Sequence, residues 1–186
     1  STDTAGKFSV AVGGGALEVQ NFTSATNAYN TGIGWLAGAA VTTGTNNTLI
    51  GGLAGDAITT ASSNVAVGYA SLGANTTGAS NTSVGLNAGA GITTGNHNIS
   101  IGVHSNWDTT LLTTGSQNIA IGNFARASTV DSTYATAIGY NLAGAAGYTT
   151  IGRDASDIRA AHGTATWAAV SDQRYKKDIV DSTAGL

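Results

Sequence analysis

Few side chains in this sequence could do chemistry, and their spacing excludes most of it. The three histidines, His97, His104 and His162, are too scattered for a coordination pattern such as H-E-x-x-H. Between Val19 and Ala125 the only charged residues are Asp56 and Asp108, so no carboxylate pair of the glycosidase kind can be assembled in the body. Asp131, Asp154 and Asp157 fit solvated loops. There is no cysteine, which removes disulfides and thiolate metal sites and leaves the redox compartment open. Gly13-Gly14-Gly15 lacks the Lys-Ser or Lys-Thr and the strand-to-helix setting of a phosphate-binding loop. No cofactor and no metal are therefore expected. Threonine pairs do recur, and stacked threonines on a flat face would suggest ice binding. Adjacent strand residues point to opposite faces, however, and these pairs sit beside glycine at turns, so that reading ranks last.

The elements that position these residues follow from composition and repeat. The chain has 186 residues, enough for one domain or one elongated module with a short appendix. It contains 27 Gly, no Pro and no Met, where average usage would give roughly nine Pro. Proline cannot donate to a hydrogen-bond ladder, so its absence suits a stack of mutually paired rungs. Ten of the seventeen charges lie from Arg153 onward, which marks a change of character there. A net charge of -3 with no basic patch in the body argues against nucleic acid as a partner. No run of 18 apolar residues occurs, so no membrane insertion is expected. No secretory signal is visible, and a start at Ser1 is expected of a segment internal to a longer protein.

The dominant signal is a repeat. A short apolar strand ending in Ile-Gly or Val-Gly places its glycine at Gly13, Gly34, Gly51, Gly68, Gly85, Gly102, Gly122, Gly139 and Gly152. The spacings are 21, 17, 17, 17, 17, 20, 17 and 13 residues. A consensus strand such as Asn64-Val65-Ala66-Val67-Gly68 or Asn98-Ile99-Ser100-Ile101-Gly102 has two faces. The row of Val65, Val67, Ile99 and Ile101 is β-branched, and the row of Leu49, Ala66, Ser83, Ser100 and Ala120 is mostly small. The β-branched row is expected to be the buried, stacked face and the small row the side of close backbone approach. A second short strand is expected at Leu36-Ala37-Gly38 and its equivalents. Thr42-Thr43-Gly44 and its equivalents are expected to turn the chain, with glycine supplying positive φ and the following Asn satisfying turn backbone locally.

A 17-residue coil cannot bury its own apolar face, so copies must stack, about nine coils over roughly 40 Å. The expected fold is an all-β solenoid, or β-helix, in residues 8–152, followed by a transition in 153–170 and a short helical tail in 171–186. The 20-residue spacing carries extra residues around His104-Ser105-Asn106-Trp107-Asp108, and the 21-residue one carries extra residues between Glu18 and Thr26. Insertions in a solenoid map to its outside, which makes Trp107 a candidate receptor contact and otherwise the cover of a corner.

The pattern Asn-x-x-Ile-Gly-x-x-Ala-Gly with Thr-Thr-Gly turns, over about residues 8–152, resembles the repeats of phage tail fibres. It is also similar to the heads of trimeric autotransporter adhesins, whose repeat is usually shorter. The resemblance implies a homotrimer, extracellular on a virion tail fibre or alternatively on a bacterial surface, that displays surfaces to a host cell-surface receptor such as a glycan. The stretch Trp167 to Ile179 looks like the junction at which phage tailspikes and endosialidases enter a C-terminal intramolecular chaperone. In that family a Ser and a Lys five residues on cut the chain once after assembly, which implies Ser171 as nucleophile and Lys176 as base. A serine hydroxyl needs a neutral amine to take its proton, and Arg174 or Lys177 nearby would favour a neutral Lys176. Two departures stand against this: only fifteen residues follow Ser171, and a cleaved product would end near Ser171. The same residues also fit a solvated helix with Ser171 as N-cap and Tyr175 and Ile179 on one face. Apart from that single self-cleavage, no enzyme is expected.

Overall fold

In the computed structural model, residues 6–22, 26–107, 113–154, 156–163 and 168–169 are described. Among them there is no helix. The strands of the first half are β1 (Gly6–Lys7), β2 (Val10–Val12), β3 (Thr26–Asn27), β4 (Thr31–Ile33), β5 (Thr48–Ile50), β6 (Val65–Val67) and β7 (Thr82–Val84). Those of the second half are β8 (Ile99–Ile101), β9 (Ile119–Ile121), β10 (Arg126–Ala127), β11 (Thr136–Tyr140), β12 (Ala143–Gly144), β13 (Tyr148–Arg153), β14 (Ser156–Ala161) and β15 (Ala168–Ala169). One 11-stranded sheet runs in the order β15-β14-β13-β11-β9-β8-β7-β6-β5-β4-β2. From β2 to β13 every pairing in it is parallel and aligns the repeat with itself, so that Thr48 pairs Val65 and Ile50 pairs Val67. The chain is thus a β-solenoid of about eight turns. β14 then runs antiparallel to β13, and β15 antiparallel to β14. The reversal falls where the charges begin. The helical expectation for 171–186 lies outside the described residues.

Each coil contributes one strand to the sheet. The expected second strand is a run of turn residues at Leu36-Ala37-Gly38, and at the equivalent place in the last coils it is a strand, where β10 pairs parallel with β12 in a separate sheet. The turn run still stacks between coils, for instance through Gly38 N–H to Ala54 O at 2.9 Å and Gly55 N–H to Ser71 O at 2.9 Å. The reason is backbone handedness. The residue two after each strand-end glycine is left-handed, from Leu36 at φ 55° through Leu53, Ala70, Asn87, His104 and Phe124 to Asn141 at φ 48°. That conformation is unfavourable for L-residues, but it aims each N–H at the preceding coil: Leu53 donates to Trp35 O and Ala70 to Gly52 O, both at 2.9 Å.

The strand-end glycine itself is required twice over. Gly68 has φ +129°, and a Cβ there would run into the backbone carbonyl of Gly85 in the next coil. The glycine after the threonine pair has a different role from the one expected. Gly44, Gly78 and Gly95 do not have positive φ, and the left-handed residue falls two later, at Asn46, Ser80 and His97. What Gly44 provides is closeness, since a Cβ there would collide with the Ala61 carbonyl oxygen.

The expectation for the two strand faces is reversed. The small row points inward: Leu49, Ala66, Ser83 and Ser100 are 0% exposed. The β-branched row that includes Val67 and Ile101 points outward. The interior is narrow, and side chains from the turns already occupy it. Leu17, Val41, Leu49, Ile58, Leu72 and Ile92 form the core with the alanines between them. A Cβ at Gly55 would sit 2.8 Å from both Ile58 Cδ1 and Leu49 Cδ2. Only small residues fit beneath the strand once the turn supplies an Ile.

The consensus asparagine joins coils, and local service to the turn is seen as well, from Asn64 Nδ2 to Ser62 O and Asn96 Nδ2 to Thr94 O, both at 3.3 Å. Asn30, Asn47, Asn64, Asn81, Asn98 and Asn118 form a buried ladder. In each step the Oδ1 of one accepts the backbone N–H of the next, as Asn47 Oδ1 does from Asn64 at 3.0 Å and Asn64 Oδ1 from Asn81 at 2.9 Å. The Nδ2 donates to a turn carbonyl, Asn64 to Gly78 O at 3.0 Å. Ser9 and Gln20 extend the ladder at its N-terminal end.

Candidate interaction surface

The outward strand face is the largest feature that the fold leaves without a partner. Ile33, Ile50, Val84, Ile101, Ile121, Ile138 and Ile151 follow one another down the sheet, each between 36% and 39% exposed, with Val67 in the same row. Beside them run Thr31, Thr48, Val65, Thr82, Ile99, Ile119, Thr136 and Thr149, all half-buried. The position after the strand-end glycine forms a third row, with exposed Trp35, Tyr69, Leu86, Val103 and Tyr140. Trp35 lies over Gly14 and Tyr69 over Gly52, at 3.6 Å and 3.5 Å from where a Cβ would stand. No charged side chain enters these rows before Arg153, whose guanidinium lies 5.6 Å from the centre of the Tyr140 ring.

Seven rung spacings of about 4.8 Å from Ile33 to Ile151 give this face a length of roughly 34 Å. At the width of two to three side chains its area is on the order of 500 Å². Scattered exposed apolar residues are ordinary, and a contiguous patch of this size falls within the range of the largest patch on a typical monomer, a patch that is often functional.

Trp107, the residue singled out in the 20-residue spacing, is 45% exposed and belongs to an aromatic group. The His104 ring lies between Trp107, at 4.8 Å between ring centres, and Phe124, stacked at 5.0 Å. Asn87 Nδ2 is 3.1 Å from His104 Nε2. His104 and Phe124 occupy the same left-handed position in consecutive coils, so comparing that column would have revealed the group. His97 is exposed on a turn, and His162 meets Thr149 Oγ1 at 3.2 Å. The three histidines are not brought together, and among the described residues no three His, Cys, Asp or Glu side chains are grouped as a metal site would require. Ser171 and Lys176 lie outside the described residues.

The threonine pairs divide their work. Thr42, Thr59, Thr76 and Thr93 each donate a hydroxyl to the main-chain carbonyl of the equivalent threonine in the next coil, at 2.9 to 3.3 Å. Thr43, Thr60, Thr77, Thr94 and Thr114 are exposed, a single file and not a broad two-row face. Asp56, an acid of the repeat body, has its carboxyl held above the usual carboxylate value by burial, which outweighs the opposing hydrogen bonds from its own and the Ala57 amide.

No family model, curated protein or solved structure matches this chain.

Proposed function

We propose that this chain is a structural fibre segment that works as a side-by-side homotrimer, of the kind phage tail fibres use to reach a host surface. The observation that supports this reading is the uncharged outward row from Ile33 to Ile151. Stacking coils along the axis pairs the backbone and buries the small inward row but leaves the outward row in water. Its area is a large part of the about 800 Å² that each partner gives up in a standard stable association. Copies of the same face are the natural cover, because they match it in length, rung spacing and lack of charge. The number three comes from the resemblance of the repeat to phage fibre and trimeric adhesin heads. The aromatic group at Trp107, beside the extra residues of its coil, is the candidate contact to a host receptor, and Ser171 with Lys176 the candidate for a single self-cleavage at a chaperone junction.

Sedimentation equilibrium tests the assembly. The unaltered chain is expected at three chain masses. Ile101→Asp, on the outward row, is expected as a folded single chain with an unchanged far-UV spectrum, because the charge can be solvated once the copies separate. An unaltered chain that sediments as one copy at high concentration overturns the reading. For the junction, mass spectrometry of the protein with its downstream sequence is expected to show a fragment boundary that Ser171→Ala abolishes. A boundary that survives the substitution removes Ser171 from the mechanism.

A further inference from the structure

The solenoid interior changes chemistry halfway along. Around the first coils it is filled by Leu17, Val41, Leu49 and Ile58 with alanines. From residue 71 to 106 the inward positions include Ser71, Asn75, Ser83, Ser100, Ser105 and Asn106, none more than 1% exposed. Some of these are satisfied by protein. Ser71 Oγ donates to Ser83 O at 3.0 Å, Asn106 Nδ2 to Ser100 Oγ at 2.9 Å, and Asn106 Oδ1 accepts from Ala127 N at 2.9 Å. Four side-chain atoms have no partner: Asn75 Nδ2, Asn75 Oδ1, Ser83 Oγ and Ser105 Oγ.

Asn75 is the sharpest case. Its place in the coil is held by Val41, Ile58 and Ile92 in the neighbouring coils, all fully buried. A buried polar group left unsatisfied lowers the folding equilibrium constant about five- to a hundredfold. Four of them together would remove on the order of 10⁴-fold, comparable to the whole folding constant of a marginal domain. Asn75 stands in place of an Ile and Ser83 in place of Leu49, while the fully buried Leu72 stands in place of Gly55.

We infer that the interior between residues 71 and 106 holds internal water at its separate unpartnered polar side chains, Asn75, Ser83 and Ser105. Water fits the requirement because it both donates and accepts, as the two ends of the Asn75 amide demand, and carries no charge into a region without counter-charge.

The test is water ¹⁷O relaxation dispersion on the full chain, which detects long-lived internal water. The comparison is the double variant Leu72→Gly, Asn75→Ile, which copies the Gly55 and Ile58 pattern of the preceding coil. The expected result is a clear signal from the unaltered chain that falls by half or more in the variant, with far-UV spectrum and sedimentation unchanged. No signal from the unaltered chain, or an undiminished one in the folded variant, overturns the inference. Should the variant not fold, a high-resolution crystal structure of the unaltered chain decides: solvent density within hydrogen-bond distance of Asn75 Nδ2 or Oδ1 supports the site, and a dry interior overturns it.

Discussion

Replacing Asn64 with alanine measures how much of the stack depends on its asparagine ladder. Asn64 is fully buried. Its Oδ1 accepts the Asn81 N–H at 2.9 Å, and its Nδ2 donates to Gly78 O at 3.0 Å and to Asn47 Oδ1 at 3.2 Å. Alanine removes both ends of the amide. Asn47 Oδ1 keeps the Asn64 backbone N–H, at 3.0 Å, but the Asn81 N–H and the Gly78 carbonyl are left buried without partners. Each orphaned group costs about 1–3 kcal/mol, so Asn64→Ala is expected to destabilise by about 4 kcal/mol, roughly a thousandfold in the folding equilibrium. Asn123→Ala, at an exposed position, is the control and is expected within about 0.5 kcal/mol of the unaltered chain. Urea denaturation at fixed protein concentration gives the difference, and hydrogen exchange at the Asn81 amide shows whether it arises at the predicted bond. A loss under about 1 kcal/mol with Asn81 still protected would refute the claim that the ladder joins coils energetically.

Gly68→Ala forces a side chain into a left-handed backbone, φ +129°, and against the Gly85 carbonyl. Strain and overpacking together are expected to cost roughly 3–5 kcal/mol in a denaturation series, and a cost under about 1 kcal/mol would contradict the close approach of the coils. Asp56→Asn tests the buried carboxyl by pH. Because burial raises the folded value above the ordinary 3.8, the folded state binds the proton more tightly than the unfolded chain, and stability falls as pH rises from about 3.8 through the folded value. The variant is expected to lose that dependence and to melt higher than the unaltered chain at pH 7, and identical pH profiles would contradict the burial.

The period was legible because three requirements recur together in the six coils from Asn30 to Asn118. A β-branched pair builds the strand, a glycine ends it where two coils nearly touch, and an asparagine precedes it. Seventeen-residue spacing between such groups allows stacking in register, and the pairing of Thr48 with Val65 and Val65 with Thr82 follows from it. The left-handed residues were not legible. Leucine, alanine and phenylalanine share that position with asparagine and histidine, and only the last two favour positive φ by their chemistry. The conformation is imposed by hydrogen bonds to the preceding coil, so it is a tertiary effect. The aromatic row stayed hidden for a similar reason. Glycine, tryptophan and tyrosine share the position after the strand-end glycine, since a large ring in one coil covers the glycine of the one before it.

The inverted faces carry a more general lesson about solenoids. Alternation of residue type shows that a strand has two unlike sides, and burial of the more apolar side is the ordinary inference. That inference assumes that interior volume is free to be filled from the strand. Here Val41, Ile58 and Ile92 reach across from the turns, and beneath itself the strand contributes Gly, Ala or Ser with one Leu and one Thr. The larger side chains therefore go outside, where stacking more coils cannot cover them, because every added coil extends the exposed row by one more Ile or Val. Growth along the axis pairs the backbone and buries the small inward row, and it enlarges the lateral problem in proportion. In the proposed side-by-side assembly, a truncated chain with fewer coils is expected to associate more weakly in proportion to the rungs removed.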